Sequence, residues 1–572
     1  MFEKYCKPQF WSICVIILLK VIGTAGELLI PMGFVHMVEE IVPKNSVSAL
    51  IQWGFLMVGV ALSAGLLSLW VSHKSVKFGV TVAQQVRQDL FEKTTKLDCE
   101  KMDAFGISSL TSRLTMDVSL LQNFIQKLMT KGVRMLIIFV GSLASVTVID
   151  PKLAFILFCT IPFIGITVFF TTKISFVRFK ETKKTNDMLT KVIRDNVMGI
   201  RVIKALSKSE YETSHFEAVN RDLEHKSIHA GKVNVVGSPF MNLIVNFAMV
   251  ATLLMGAYWV KQGSSHPASI IAFMSYSTMI LTSLVSIGQF FTSFSRAAAA
   301  ASRVNEVLNS TSRTYEALEK TPSSNSYIEF QNVCFSYEKS GGKPTLNNIS
   351  FTIKEGEMLG IIGMTASGKS TVIQLLLRLY EVDSGEIFVK GIPISHYSSE
   401  ELYQLFGVVL QGDVIFADSV ANNISFGRGV PQKQIEFSAK IAQAEPFVAK
   451  LSKNYDSLVN VRGQNISGGE KQRLLISRAL ANQPEILILD DSTSALDYKT
   501  DANLRKSLEK DFTNCTKIII SQRVSSIMQA QKILVLEEGE ILDMGSHEQL
   551  IENCENYRKI AHLQLGDGSL YA

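Results

Sequence analysis

Six stretches of the chain, near 10–36, 50–72, 133–149, 152–172, 234–260 and 268–291, are long apolar runs with few charges. A helix needs about 20 such residues to cross the hydrocarbon core of a bilayer, so each stretch predicts a transmembrane span. The third and fourth are parted only by Ile149-Asp150-Pro151-Lys152, a tight turn of the kind that Asp-Pro starts. The connectors at Pro43-Lys44 and Gly263–Pro267 are also short, whereas 73–132 and 173–233 are long. Within the long loops, Val82–Leu97 and Ser119–Met129 keep apolar residues three and four apart, which predicts helices prolonging the spans. Asp103-Ala104-Phe105-Gly106 and Leu206-Ser207-Lys208-Ser209 break that pattern, one break in each loop. After the sixth span Arg296–Leu308 continues as an Ala-rich helix, and polar Thr321–Ser326 marks a boundary. From Tyr327 onward the pattern is that of a soluble α/β domain. The division expected is 1–312 for a transmembrane domain with its loops, 313–326 for a linker and 327–572 for the α/β domain.

Charge gives this layout a direction. Nine Lys/Arg lie between Ser72 and Lys131, and thirteen between Lys173 and Lys232, many of them close to span ends. By the positive-inside rule both long loops are cytosolic, and an even number of spans then places both termini, and the domain after the sixth span, on the cytosolic side of a cell membrane. Hydrophobic residues make up 47% of the chain and charged residues 19%; mean hydropathy is +0.21. A net charge of +5 is mild for 572 residues, so no nucleic-acid partner is expected. The seven cysteines are scattered without paired spacing, which argues against a disulfide framework or a zinc site. Lys4 and Lys7 before an apolar run resemble a secretory signal, but no cleavage pattern follows and the run passes Pro31.

The α/β half carries the chemistry. The strand ending at Ile361-Ile362 is followed by Gly363-Met364-Thr365-Ala366-Ser367-Gly368-Lys369-Ser370 and then a helix from Thr371. This is G-x-x-x-x-G-K-S in its strand–loop–helix setting. Backbone N–H groups and a helix N-terminus converge there on phosphate oxygens. Lys369 is expected at the β- and γ-phosphates, and Ser370 at Mg²⁺. Ile486-Leu487-Ile488-Leu489-Asp490-Asp491 reads as a buried strand ending in acids, with Asp490 on the Mg²⁺ side.

Between these motifs stands Asn465-Ile466-Ser467-Gly468-Gly469-Glu470-Lys471-Gln472-Arg473. It resembles the signature sequence of ATP-binding cassette proteins. The whole chain, with six spans, two long loops and one C-terminal cassette, resembles a half-transporter of the exporter type. The likeness is to bacterial heterodimeric multidrug exporters, and to the subunit that carries a degenerate ATP site. It implies that Tyr337 stacks on adenine and that Gln411 reports to the membrane domain and touches Mg²⁺. It also implies that Asp497, in Ser494-Ala495-Leu496-Asp497, faces a partner cassette, and that Gly199-Ile200-Arg201-Val202-Ile203-Lys204 is a coupling-loop motif. Two cassettes would clamp two ATP molecules, each held by one chain's P-loop and by Ser467, Gly468, Gly469 and Glu470 of the other. The two loop interruptions would be coupling helices. ATP and Mg²⁺ are the expected cofactors, with a lipid bilayer and a small lipophilic substrate as the other partners.

Four departures from the family pattern shape the reading. Asp491 stands where Glu is usual as the general base, and Gln522 where His is usual as the switch. Both point to a site that binds ATP and hydrolyses it slowly. Glu470 replaces a commoner Gln, which leaves the signature usable. Leu458 and Val461 replace two carboxylates before the signature, which puts the usual contact to coupling helices in doubt. The expectation is a heterodimer with a different half-transporter that supplies a competent Glu. Export of lipophilic or amphipathic compounds leads, with a lipid flippase, a peptide exporter and an ATP-gated sensing subunit as rivals.

Several polar residues in the spans carry two readings. Lys20 and Glu27 lie near one face of the first span. They form either a substrate-contacting pair, or a snorkelling Lys20 with Glu27 bonded to a neighbouring helix; for Lys20 the second is favoured. Asn242 and Asn246 either line a cavity or bond between helices. Phe273, Tyr276, Phe290 and Phe291 suit a lipophilic path or lipid contact equally. His225 and His229, one turn apart with only Asp222 near, do not build a convincing metal site.

Overall fold

The computed structural model describes residues 4–5, 7–263, 266–311, 322, 324–337 and 343–565. Most of the linker expected at 313–326 and part of the Gly263–Pro267 connector lie outside the described residues. The chain divides into two compact units: Met1–Lys96 with Phe105–Thr311, and Leu97–Ala104 with Ser312–Ala572.

Among the described residues, six helices of the first unit are long and apolar enough to cross a membrane. Helix α1 (Phe10–His36) is followed by α2 (Val47–Thr95). The short α3 (Cys99–Phe105) then leads into the interrupted helix α4 (Ile107–Ile149). Next come α5 (Pro151–Met198), the short α6 (Ile200–Ala205), α7 (Ser209–Lys261) and α8 (Pro267–Leu308). At 49, 48, 53 and 42 residues, α2, α5, α7 and α8 run ~60–80 Å. That is more than twice the hydrocarbon thickness of about 30 Å, so the spans do continue as helices far beyond their apolar stretches. Caps set the starts. Ser46 accepts from Ala49 N at 3.4 Å, and Asp150 accepts from Lys152 N at 2.9 Å, with Pro151 in the first turn.

Each long loop is broken twice rather than once. The first turns at 96–98 and again at Gly106 (φ +74°), which isolates α3. The second turns at Gly199 and again at 206–208, with Ser207 at φ +51°, which isolates α6. Helix α4 also contains two π-helical turns, Arg113–Asp117 and Leu128–Gly132. In the first, Asp117 is paired with Arg303 of α8 (2.5 Å), while Arg113 pairs with Glu306 (3.0 Å).

The core of this unit corrects the aromatic reading. Phe273 (2% exposed) and Tyr276 (0%) pack with Val35, Val146, Leu153 and Ile280. The Tyr276 hydroxyl donates to Leu28 O at 2.6 Å. These rings are interior, whereas Phe291 stays exposed.

The second unit has a six-stranded sheet, ordered β12-β11-β3-β10-β9-β6, and a four-stranded antiparallel sheet, β2-β1-β4-β5. The antiparallel sheet holds β1 (Ile328–Phe335), β2 (Leu346–Ile353), β4 (Ser384–Val389) and β5 (Ile392–Pro393). The large sheet holds β3 (Met358–Gly363), β6 (Phe406–Val409), β9 (Ile486–Asp490), β10 (Thr516–Ile520), β11 (Lys532–Glu537) and antiparallel β12 (Glu540–Gly545). A two-stranded ladder joins β7 (Asp418–Ser419) to β8 (Leu458–Val459). Side chains of the parallel strands alternate between two cores. Ile486, Ile488, Ile518 and Leu534 share one with the antiparallel sheet and helix α9 (Lys369–Leu376), while Leu487, Leu489, Ile519 and Ile533 enter the other. Burial on both faces explains the unbroken apolar strands read in the sequence.

Candidate site at the carboxyl edge of the parallel sheet

Four adjacent parallel strands end at one edge, and each delivers part of the site. β3 runs into the phosphate loop, β9 ends in Asp490, β10 leads to Gln522, and β6 leads to Gln411. The register pairs Ile520 with both Asp490 and Ile361, so these ends are level. Ligands of doubly wound sheets sit at this edge.

The loop from Gly363 to Gly368 can hold its shape only with small residues at its ends. A Cβ at Gly363 would lie 2.2 Å from Leu536 O. Gly368 has φ +96°, and a Cβ there would lie 2.6 Å from the Leu346 side chain. Ser367 and Thr371 are buried, whereas Met364, Thr365 and Ala366 face outward, Ala366 at φ +65°. Lys369 Nζ donates to Gly363 O (2.9 Å), Met364 O (2.5 Å) and Ser367 Oγ (3.2 Å). Burial lowers its pKa, and the charges of Asp490 and Asp491 oppose that.

The three residues expected at Mg²⁺ come together. Asp490 is 3% exposed, with the Ser370 side chain and the Gln411 backbone beside its carboxylate. Burial raises its pKa and neighbouring Asp491 adds to this, while the two hydrogen bonds and Lys369 pull it back. The oxygen donors of Ser370 and Asp490 fit a hard cation; Gln411 contributes here through its backbone.

Asp491 adopts φ +47°, and its amide donates to Ile520 O at 3.0 Å. Burial raises its pKa, against the charges of Arg523 and Lys369. Gln522 is exposed one residue beyond Ser521, whose amide bonds Ile361 O at 3.2 Å. Arg523 donates to Ser494 O (2.9 Å) and Leu496 O (3.3 Å), tying the Gln522 loop to the 494–497 loop. Asp497 caps helix α11 (Tyr498–Asp511), accepting from Thr500 N (2.9 Å) and Thr500 Oγ1 (2.8 Å).

Tyr337 sits at the phosphate-loop helix, with its hydroxyl 3.2 Å from Thr371 Oγ1 and also bonded to Gln374. Tyr337 is 47% exposed, and its ring meets Tyr380 edge-on at 5.2 Å. The Tyr380 hydroxyl bonds Asp103 of α3, inside this same unit. Sequence reasoning gave no signal for Tyr380, because its contacts are with two residues distant in the chain.

The signature residues form a separate group. Ser467 caps helix α10 (Gly468–Leu480) in a full capping box: Ser467 N and Oγ donate to Glu470 Oε2 at 2.8 and 2.9 Å. The Ser467 backbone bond holds the Glu470 pKa low. Gly469 lies against Ala495, whose carbonyl would be 3.2 Å from an added Cβ. Among the described residues no hydrogen bond joins this group to the phosphate loop, and Ser467 and Gly468 are exposed. Leu458 and Val461 are 72% and 62% exposed.

In the spans, Glu27 forms a forked ion pair with Arg134 of α4, at 2.8 and 3.1 Å. Sequence reasoning missed Arg134. Lys20 does not snorkel: it is 4% exposed and donates to Ser68 of α2 at 3.0 Å. Asn242 and Asn246 are both exposed on α7. Asp222 is engaged by Lys226 at 2.6 Å.

Comparison with known proteins places these features. The family model for the ABC transporter transmembrane region matches residues 13–284, and the ABC transporter model matches residues 346–494. YfiB of Bacillus subtilis (strain 168), named an uncharacterized ABC transporter ATP-binding protein, is 31% identical over 98% of both chains. An ATP-dependent lipid A-core flippase of Syntrophus aciditrophicus (strain SB) is 29% identical over 85% of this chain and 81% of its own length. A solved bacterial Atm1-family ABC exporter with ATP bound superposes with a TM-score of 0.81 at 21% identity, over 97% of this chain and 98% of the other. That last likeness is one of fold.

Proposed function

The chain belongs to the ABC transporter family, as an exporter-type half-transporter whose ATP-binding domain drives movement across a membrane, and from that premise we propose that it exports lipophilic or amphipathic compounds as one subunit of a heterodimer. In this reading Tyr337 and the loop from Gly363 to Thr371 hold ATP, and Ser370, Gln411 and Asp490 hold Mg²⁺. Mg²⁺ would neutralise charge on the β- and γ-phosphates. Gln522 reaches toward the γ-phosphate by a hydrogen bond without a positive charge. Ser467, Gly468, Gly469 and Glu470 serve ATP on the partner chain, and Asp497 lies at the seam. Residues 313–326 link the transmembrane domain to the cassette, and both termini lie in the cytosol of a cell whose membrane holds the six spans.

The observation that carries the asymmetric reading is the pair Asp491 and Gln522. They stand at the ends of adjacent strands β9 and β10, which supports assigning both substitutions to one site. The intact capping box at Ser467 supports a signature that still works for the other site. The test is expression with and without candidate partners. Alone, the chain should show little ATPase activity; with its partner it should co-purify at one-to-one stoichiometry and turn over rapidly. Rapid coupled turnover by the chain alone would overturn the heterodimer.

The relative named as a lipid A-core flippase favours a second reading, in which the amphipathic substrate is a membrane lipid. Transport assays in vesicles separate the two: a flippase moves labelled lipid between leaflets, whereas a drug exporter concentrates a dye in the lumen.

A further inference from the structure

The last described helix, α12 (Glu555–Leu565), ends on the loop that carries Gln522. Tyr557 and Ala561 are fully buried on one face of this helix, and Tyr557 is also 2.8 Å from His547. Gln564 falls seven residues after Tyr557 and therefore lies near the same face, at the helix end. Its side-chain amide bonds the loop twice. Nε2 donates to Gln522 O at 2.7 Å, and Oε1 accepts from Val524 N at 2.8 Å. Arg523, between these two groups, is extended (φ −94°, ψ 118°). The amide thus takes the two hydrogen bonds that a neighbouring β-strand would otherwise make, and fixes the backbone on both sides of Arg523. That matters because Arg523 grips the 494–497 loop through Ser494 O and Leu496 O.

We propose that Gln564 is a positioning residue of the ATP site: it sets where Gln522 points and lets α12 hold or release the loop. The inference rests on the proposed reading that Gln522 faces the γ-phosphate. It makes ATP retention depend on a helix that supplies no group to the nucleotide. Arg505, which donates to Ser525 O at 2.6 Å, anchors the far side of the loop, so loss of Gln564 loosens the stretch from Gln522 to Val524 while Ser525 stays held. Gln564 is itself exposed, so its replacement leaves the buried Tyr557 face intact.

The test uses the full-length chain in membrane vesicles, photolabelled with 8-azido-ATP or 8-azido-ADP. Gln564→Ala should weaken ATP labelling roughly fivefold, the scale of one lost hydrogen bond, and leave ADP labelling unchanged, because ADP lacks the phosphate that Gln522 addresses. Gln564→Glu is nearly isosteric, but sets a carboxylate against Gln522 O; it should be at least as weak as Gln564→Ala. A side chain that merely fills space would tolerate Glu, so wild-type ATP labelling of Gln564→Glu overturns the proposal. Equal weakening of ATP and ADP overturns it too. Failure of the underlying reading is scored separately: if Lys369→Ala leaves labelling intact, the labelled site is not this one, and rapid ATPase by the chain alone refutes the heterodimer without touching the ATP–ADP contrast.

Discussion

Replacing Asp491 by Glu asks most directly whether this chain's own site is slow for want of reach. The Asp491 amide is held by Ile520 O at 3.0 Å, and its backbone sits at φ +47°. With the main chain pinned, an added methylene lengthens the side chain by roughly 1.5 Å, one C–C bond, rather than being absorbed by a shift. A misplacement of about 1 Å can slow a reaction on the order of 10²-fold. Restored reach therefore has up to about 2.7 kcal/mol of barrier to recover. Two effects oppose it. A left-handed backbone costs ordinary residues about 1–2 kcal/mol, and Asp tolerates it better than Glu, so stability should fall slightly. Gln522 also remains unable to carry charge. We expect Asp491→Glu to raise single-turnover hydrolysis at this site by about 10-fold or more, and Asp491→Glu with Gln522→His to raise it further. The assay follows phosphate release from labelled ATP in the assembled transporter, with the partner's site disabled. Slower hydrolysis with Glu, or complete loss of turnover in Asp491→Asn, would show that Asp491 is already the working base.

Three further perturbations probe other parts of the molecule. Ser467→Arg breaks the capping box, costing about 1 kcal/mol, and sets bulk where the signature helix must approach phosphate; turnover by the assembled pair should collapse while labelling of this chain by azido-ATP persists, and preserved turnover would contradict the cross-chain site. Tyr380→Phe removes the bond to Asp103, worth about 1 kcal/mol at a partly exposed position; ATP binding should be unchanged while transport per ATP hydrolysed falls, and an unaltered ratio would show that the contact does not couple. Arg134→Met should lower the unfolding temperature in detergent more than Arg134→Met with Glu27→Gln, because the single change strands a half-buried carboxylate; equal effects would mean that the ion pair is energetically idle.

The spans, the phosphate loop and the strand bearing Asp490 were legible because each rests on local constraints. A bilayer needs a long apolar run, a phosphate needs small residues before a helix, and a doubly buried strand has no polar positions. What escaped the sequence depends on distant partners. Arg134 is 107 positions from Glu27, and Gln564 is 42 from Gln522; neither carries a mark of its partner. The first break in each long loop was hidden because 96–98 and Gly199 sit between segments that keep helical character on both sides. Phe273 and Tyr276 were misjudged because a span's apolar side chains look alike whether they face lipid or another helix.

One short segment joins the two halves of the proposed mechanism. From Asp490, beside Ser370, the chain passes Asp491 and reaches Ala495, against which Gly469 of the signature packs, within five residues. The Ser494 hydroxyl donates to Asp491 O at 2.9 Å, and Arg523 holds Ser494 O and Leu496 O. Any displacement of Asp491 or of the Gln522 loop therefore acts on the seat of the signature helix, which in the proposed mechanism would serve the other nucleotide. A site arranged this way need not hydrolyse ATP to matter. Occupied, it would fix the loop at 490–497 and so the approach of Ser467 to the partner's ATP; empty, it would leave that approach unsupported. Lys369→Ala separates this from a site that works by its own chemistry. By weakening occupancy at Lys369, it should impair transport more than it lowers basal hydrolysis, since chemistry continues on the partner's phosphate loop while the clamp closes poorly. Loss of all hydrolysis with ATP labelling of this chain unchanged would refute that division of labour.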